Sequence, residues 1–302
     1  MATIKGIWDY LTDIKARKLD LLLKFGKNMS DERYLKKMYR IKLGRPLNLS
    51  APQTYTEKLQ WLKLYDRKPE YTVLQDKYAV RDYVAKTIGS EYLIPLLGVW
   101  EDAKDIDFSK LPDQFVLKCN HDCASVIICR DKSKLDYEKT RDKLNECLRT
   151  NYYLSAREWA YKDIKPLIIA EKYMTMSNQE TLTDYKFFCF SGKAKIVMLT
   201  SGEAHTRSRR NDLFDISFNR LPIQRGNVEG SNVVYNKPER FDVLVSLAER
   251  IAGNIPFIRV DFYLIEDHPY FGEVAFYPSA GLSQFSPFEW EEKIGSWIKL
   301  PQ

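Results

Sequence analysis

Residues 258–276, IRVDFYLIEDHPYFGEVAF, read as two β-strands joined by a tight turn, and the charges on one face decide how the chain is understood. Successive strand side chains point to opposite faces. Ile258, Val260, Phe262 and Leu264 therefore make an apolar side, while Arg259, Asp261 and Tyr263 make a charged one. With Glu266, Asp267 and His268 as the turn, Ile265 pairs with Pro269, and counting back along the ladder sets Asp261 opposite Glu273. Two carboxylates facing each other across a ladder repel unless a cation lies between them or one is neutralised. The compensating charge is either Arg259 with a nearby lysine, or a divalent metal held by both carboxylates, with Arg259 beside it facing an anion such as a phosphate.

The chain has 302 residues, 44% hydrophobic and 29% charged, with a formal charge of +6. That balance describes a folded globular protein long enough to bury a core in two or three lobes. Its Lys and Arg residues are spread along the chain, which argues against nucleic acid as a partner and suits anionic substrates or an acidic membrane surface. No run approaches the ~18 consecutive apolar residues of a membrane span, and MATIKGIWDYL at the start lacks the apolar centre of a signal peptide. Cys119, Cys123, Cys129, Cys147 and Cys189 have no paired C-x-x-C spacing, which fits free thiols in a reducing cytoplasm. Cys119, His121 and Cys123 could open a zinc site, but a closed site needs a second cluster, and neither His205 nor His268 has a neighbouring Cys or His.

Residues 1–70 read as a helical extension. DYLTDIKARKLDLLLKF is amphipathic and basic, with Leu11, Ile14, Leu19, Leu22 and Leu23 near helical spacing. Such a helix packs on its own protein or lies on the inner face of an anionic membrane. Two more helices follow, one from Ser30 to Gly44 and one over YTEKLQWLKLYD, with Tyr55, Leu59 and Leu62 on one stripe. From residue 71 short strands alternate with helices: YLIPLLGVW, DQFVLKCN, SVIICRD and KPLIIAEKYM are strands, and DYKFFCFSGKAKIVML is a hairpin turning at Ser191 and Gly192. RFDVLVSLAERIAGN and SPFEWEEKIGSWI are helices, the second capped by Ser286. The class is α+β with antiparallel sheets, and no GxGxxG or GxxxxGK[ST] loop is present.

Charged residues recur at strand ends: Lys77 after Asp76, Lys118 closing FVLK, Glu171 closing LIIAE, Lys186 in DYKFFCF, then Arg259, Asp261 and Glu273. Singly these are ordinary surface charges. Together they supply what phosphoryl transfer requires, lysines for phosphate oxygens and carboxylates for magnesium. HTRSRRN, residues 205–211, adds Arg207, Arg209 and Arg210, whose guanidinium forks match carboxylate or phosphate oxygens. YPSAGLSQF adds hydroxyls at Tyr277, Ser279 and Ser283, suited to sugar contact.

The phrases YTEKLQWLKLYDRKPEYTVLQDKYAVRDYV, LPDQFVLKCNHD, IIAEKYM, DYKFFCFSGKAK, PFIRVDFY and YFGEVAFYPSAG, in this order over residues 30–301, resemble the TupA-like (teichuronopeptide-type) branch of the ATP-grasp superfamily, from bacterial surface-polysaccharide biosynthesis. The resemblance implies a small lobe over about residues 110–172 and a large lobe over 173–302, clamping ATP with magnesium. It implies that Lys77 and Lys118 contact phosphates, that His121, Asp122 and Ser125 belong to the loop closing on them, and that Glu171, Lys172 and Tyr173 form the adenine hinge. Asp184 then meets the ribose or a second metal, Lys186 faces the phosphates or acyl group, Asp261 and Glu273 hold magnesium, and Arg259 holds the transferred phosphate. Relatives more often read NHDSGS where this chain has NHDCAS, and E-x-N where it has Glu273-Val274-Ala275, so one metal ligand is replaced by water, Asp184 or phosphate.

The activity implied is ATP-dependent amide formation between a uronic-acid carboxyl, on a glycan, nucleotide sugar or lipid-linked precursor, and an amino acid or other amine, through an acylphosphate. The same site could instead pass phosphate to a glycan hydroxyl. A metal-dependent glycosyltransferase would have only Asp105-Ile106-Asp107 as its D-x-D signature.

Overall fold

The protein's structure, a computed structural model, describes residues 13–123, 125–175, 183–202 and 208–301. Arg207 and His205 lie outside the described residues.

Helices α1 (Ile14–Phe25) and α2 (Asp31–Leu43) form an antiparallel pair around Leu22, Tyr34, Leu35 and Met38. The buried Arg157 ties their connection to the body by donating to the carbonyls of Gly26 and Lys27, both at 2.9 Å, and by stacking on Tyr34. Helix α3 (Tyr55–Tyr65) starts at a capping box in which the Thr54 hydroxyl and the Glu57 carboxylate each accept the other residue's backbone N–H. Its Tyr55, Leu59 and Leu62 are buried in the main core. Short helices α4 (Pro69–Gln75) and α5 (Val80–Thr87) lead to the first sheet.

That sheet is antiparallel, in the order β1 (Leu96–Trp100), β4 (Ile168–Lys172), β2 (Phe115–Cys119), β3 (Ile127–Cys129). Helix α6 (Tyr137–Leu148) packs its Leu144 against Phe115, Leu117 and Ile168 to form a separate core. The second sheet is also antiparallel and runs β10 (His268–Ala275), β9 (Phe257–Ile265), β5 (Asp184–Phe190), β6 (Lys193–Ser201), β7 (Arg210–Asp215). Helices α7 (Phe241–Ala252) and α8 (Phe288–Trp297) cover its apolar face. A two-residue ribbon joins β8 (Gln224–Arg225) to β11 (Phe285–Ser286).

The opening hairpin differs from expectation in two places that cancel. Glu266 and Asp267 alone make the turn, with φ of 50° and 59°, so Ile265 faces His268 rather than Pro269. A bulge at Gly272 then restores one residue, and Asp261 does face Glu273. A Cβ at Gly272 would sit 3.3 Å from the Asp261 carbonyl oxygen and from the Tyr263 ring, so the bulge packs closely on the site. Ser286 is not the cap of the terminal helix: it pairs with Gln224 in the ribbon, and the N-cap is Pro287, which offers no side-chain oxygen. Arg210 and Asn211, read as loop, open edge strand β7.

Glu291 on α8 is fully buried and accepts from the Thr56 N–H at 2.8 Å, the Thr56 hydroxyl at 2.7 Å and the Phe285 N–H at 2.8 Å. It clamps the N-terminus of α3 to α8 and the ribbon, where a negative charge suits the helix dipole. Replacing it with Ala strands two buried N–H donors, so Glu291→Ala is expected to lower unfolding stability by about 3 kcal/mol. A urea titration checks this, and an unchanged midpoint would show that the clamp contributes nothing.

Candidate functional site

Strands β5, β9 and β10 bring a buried charge network to one face of the large sheet. Register places Lys186 beside Asp261, and Asp261 beside Glu273. Arg259 grips Asp261 in a two-pronged fork, Nε to Oδ1 and Nη2 to Oδ2, both at 2.6 Å, and reaches Glu273 Oε1 at 2.8 Å. Lys186 donates to Asp261 Oδ2 at 2.7 Å and also to Asp184. Charges removed from water persist only in such company. Burial pulls the Lys186 ammonium toward neutrality, but Asp184 and Asp261 outweigh it and hold its pKa above the ordinary lysine value. Burial likewise opposes the Glu273 carboxylate, but Arg259, then Lys77, Lys186 and Lys118, keep its pKa below the usual carboxylate range. Asp184 goes the other way, since burial raises it by more than Lys186 lowers it.

Both compensations anticipated for the facing carboxylates bear on this network. Arg259 and Lys186 occupy both oxygens of Asp261, and among the described residues no three His, Cys, Asp or Glu side chains converge on a ready-made metal site. Room for a hard cation still exists. Glu273 gives Arg259 only Oε1 and its side chain is 39% exposed, and Oδ1 of Asp184 is buried without a hydrogen-bond partner among the described residues. An all-oxygen donor set of this kind fits magnesium arriving with phosphate.

Two cavities meet at this network. One, of about 390 Å³, lies between the sheets and contains the expected phosphate lysines Lys77 and Lys118, the expected metal carboxylates Asp261 and Glu273, and Asp184. Its walls are apolar at Val116, Ile128 and Tyr263. Glu171 does not present a free backbone edge: it lies in register with Leu96 on one side and Val116 on the other, and the Lys172 N–H donates to Pro95. The first backbone beyond the ladder is Tyr173 to Thr175, which lines the cavity. The Glu171 carboxylate instead neutralises Lys118 at 2.6 Å and Arg81 at 3.3 Å. Arg81, one turn after Lys77, had no signal in the sequence beyond helical spacing.

The second cavity, of about 620 Å³, shares Lys186 and Arg209 with the first and is lined by Arg259, Arg210, Arg225 and Ser279. Arg225 was not anticipated. It is 5% exposed and donates to the Pro278 carbonyl at 2.8 Å, and among the described residues no carboxylate lies within 4.0 Å of it. Burial therefore lowers its pKa from the ordinary arginine value. Gly226 beside it has φ +63°, and a Cβ there would meet Ser283 Oγ at 2.6 Å, so a side chain here would be strained and would displace the Ser283 hydroxyl. Ser279 and Ala280 follow each other in the left-handed region, a conformation costly for side-chain-bearing residues and concentrated at functional loops. Helix α3 holds them: Gln60 donates to the carbonyls of Ala280 and Gly281, and Lys63 donates to Ala280 at 2.7 Å.

Other expected residues are placed elsewhere. Asp122 accepts from the Ser125 hydroxyl at 2.6 Å, Ser125 Oγ accepts from the Cys119 N–H, and His121 Nε2 faces the Thr150 carbonyl, so these three side chains fold their own loop and line neither cavity. Lys77 reaches that loop through the Asp122 carbonyl. Tyr277 is buried in the main core. Asp107 caps a short turn by accepting from Ser109, far in role from a metal-binding D-x-D. All five cysteines are free.

No curated protein matches the sequence at a significant level. Among solved structures, the D-alanine–D-alanine ligase from Bacillus anthracis complexed with ATP shares 18% identity, covering 68% of this chain and 55% of that one, with a TM-score of 0.38. The D-alanine–D-alanine ligase from Helicobacter pylori shares 14% over 82% and 69%, TM-score 0.43, and the L-amino acid ligase from Bacillus licheniformis 12% over 84% and 57%, TM-score 0.45. The chain thus spans just over half the length of the first of these structures, and overlap this loose is only a similarity. The sequence profile of the family described as TupA-like ATPgrasp matches residues 57–299, from α3 through both sheets and their joint cleft to α8. The chain belongs to the TupA-like ATP-grasp family.

Proposed function

We infer that the protein is an ATP-dependent ligase that joins a carboxylate to an amine, releasing ADP and phosphate. The observation that carries this reading is the meeting of the two cavities at Lys186 and Arg209, with Asp261 lining the first and its partner Arg259 lining the second. Lys77 and Lys118 on the nucleotide side offer charge to the triphosphate, while Tyr173 to Thr175 supply hydrogen-bonding backbone for the base. Magnesium, held by the open oxygens of Glu273 and Asp184, would neutralise phosphate oxygens, while Asp261, both of whose oxygens are taken by Arg259 and Lys186, would hold those two cations in place instead of the metal. On the far side Arg259 and Lys186 orient an acceptor carboxylate. Its oxygen attacks the γ-phosphorus, the bond to the β-phosphate oxygen breaks, and ADP leaves. An amine nitrogen then displaces phosphate from the acyl carbon and loses a proton to solvent. Alignment and charge neutralisation account for such chemistry without a protein nucleophile. Burial raises the thiol pKa of Cys119, Cys129 and Cys189, consistent with a role outside the reaction.

The acceptor of this proposal is a uronic acid of a surface polysaccharide or of its nucleotide-linked or lipid-linked precursor, and the amine is an amino acid or similar small molecule. A cavity of about 620 Å³ has room for sugar units, Ser279 and Ser283 supply hydroxyls, and Arg209, Arg210 and Arg225 favour an acceptor bearing more than one negative charge. The work is assigned to the cytoplasm, where ATP and the activated precursors are found.

Incubation with ATP, magnesium, an oligouronate and mixed amino acids tests the reaction. ADP release that needs both acceptor and amine supports ligation. ADP with acceptor alone and a phosphorylated sugar would replace it with phosphotransfer, and AMP would end the acylphosphate scheme. Chelating magnesium with EDTA is expected to stop ADP release, and Glu273→Gln to slow it by at least about 100-fold with the fold retained on circular dichroism. Arg225→Met should raise the acceptor KM about tenfold or more while the ATP KM stays put. An unchanged acceptor KM would remove Arg225 from the acceptor site.

A further inference from the structure

The net charge of this protein is not shared out along the chain. Residues 1–45 contain twelve Lys and Arg against five Asp and Glu, a net +7, whereas the rest contain 35 against 36. The whole formal charge of +6 therefore belongs to the segment that carries α1 and α2.

Helix α1 is also apolar on two sides. Its inward side is accounted for: Leu22 is buried and Leu19 packs with the α2 cluster. Among the described residues none covers Ile14, Leu21 and Phe25, which are 65%, 55% and 67% exposed. Their spacing of seven and four residues puts all three within one narrow stripe of an α-helix. Lys18 falls on one flank of that stripe and Arg17 and Lys24 on the other, and all three are exposed. Exposed Arg33, Lys36, Lys37 and Arg40 on α2 extend the basic surface. The pair cannot simply rotate its apolar stripe inward, because Arg157 holds the α1–α2 connection through the carbonyls of Gly26 and Lys27.

We propose that α1 docks on an anionic lipid surface, with Ile14, Leu21 and Phe25 entering the acyl boundary and Arg17, Lys18 and Lys24 meeting the headgroups. An exposed apolar stripe flanked by cations is the arrangement that lies in a membrane interface. Each cation near such a surface adds attraction, which decays within a Debye length. No helix among the described residues is long and apolar enough to cross a membrane, so the contact is peripheral. Charge selects lipid over a second copy of the chain, because two copies meeting through this face would bring two +7 segments together. The inference stands independently of the reaction proposed above.

Sedimentation of the full chain with vesicles tests it, using phosphatidylcholine alone or an equal mixture of phosphatidylcholine and phosphatidylglycerol. Binding is expected only to the mixed vesicles and should weaken as salt rises. Leu21→Glu with Phe25→Glu should reduce it about tenfold or more, and Lys18→Glu with Lys24→Glu at least about twentyfold. All four substitutions fall on exposed positions, so the melting temperature should hold and separate lost docking from lost folding. A full chain that stays in the supernatant with both vesicles would overturn the proposal. So would equal binding to neutral vesicles, or a concentration-dependent dimer that Leu21→Glu with Phe25→Glu dissolves.

Discussion

The site depends on one guanidinium shared between two carboxylates. Arg259 fills both oxygens of Asp261 and reaches across the ladder to Glu273, so three side chains that would each be costly to bury become affordable together. Lys186 then enters from β5 to complete Asp261. The arrangement aligns the charged side chains along three neighbouring strands, on the side of the sheet opposite the apolar core. A cleft floor built on central strands is more rigid than one built on loops, and both cavities inherit that rigidity.

What the sequence disclosed follows from periodicity. A two-residue alternation is enough to put Arg259 and Asp261 on one face, and charges closing apolar strands, as at Lys118, are conspicuous. The loop at residues 121–125 shows the opposite case, because polar residues in a tight turn satisfy their own backbone as readily as a ligand, and composition does not distinguish the two. Tyr277 is a related case: a tyrosine beside a turn looks available in sequence, but the packing of the main core buries it. Arg225 carried no signal at all. It stands 34 residues before Arg259 in an irregular stretch, and the β8–β11 ribbon brings it to the second cavity.

The helices that precede the sheets take part in this geometry. Gln60 and Lys63 on α3 hold the carbonyls of a loop whose Ser279 and Ala280 adopt left-handed backbone, and Glu291 on α8 holds the start of α3. The loop's strain is thus sustained by packing from a segment more than 200 residues away in sequence. Long-range support of this type is absent from any local pattern.

The β9–β10 hairpin constrains how such chains diverge. Its two-residue turn and its bulge at Gly272 are offsets of opposite sign, and only their combination aligns Asp261 with Glu273. Gain or loss of one residue at the hairpin tip would therefore invert which side of β10 faces the cleft, unless the kink vanished in the same lineage. Homologues with longer tips should be compared strand by strand, since gap placement at the tip alone would align the wrong acid.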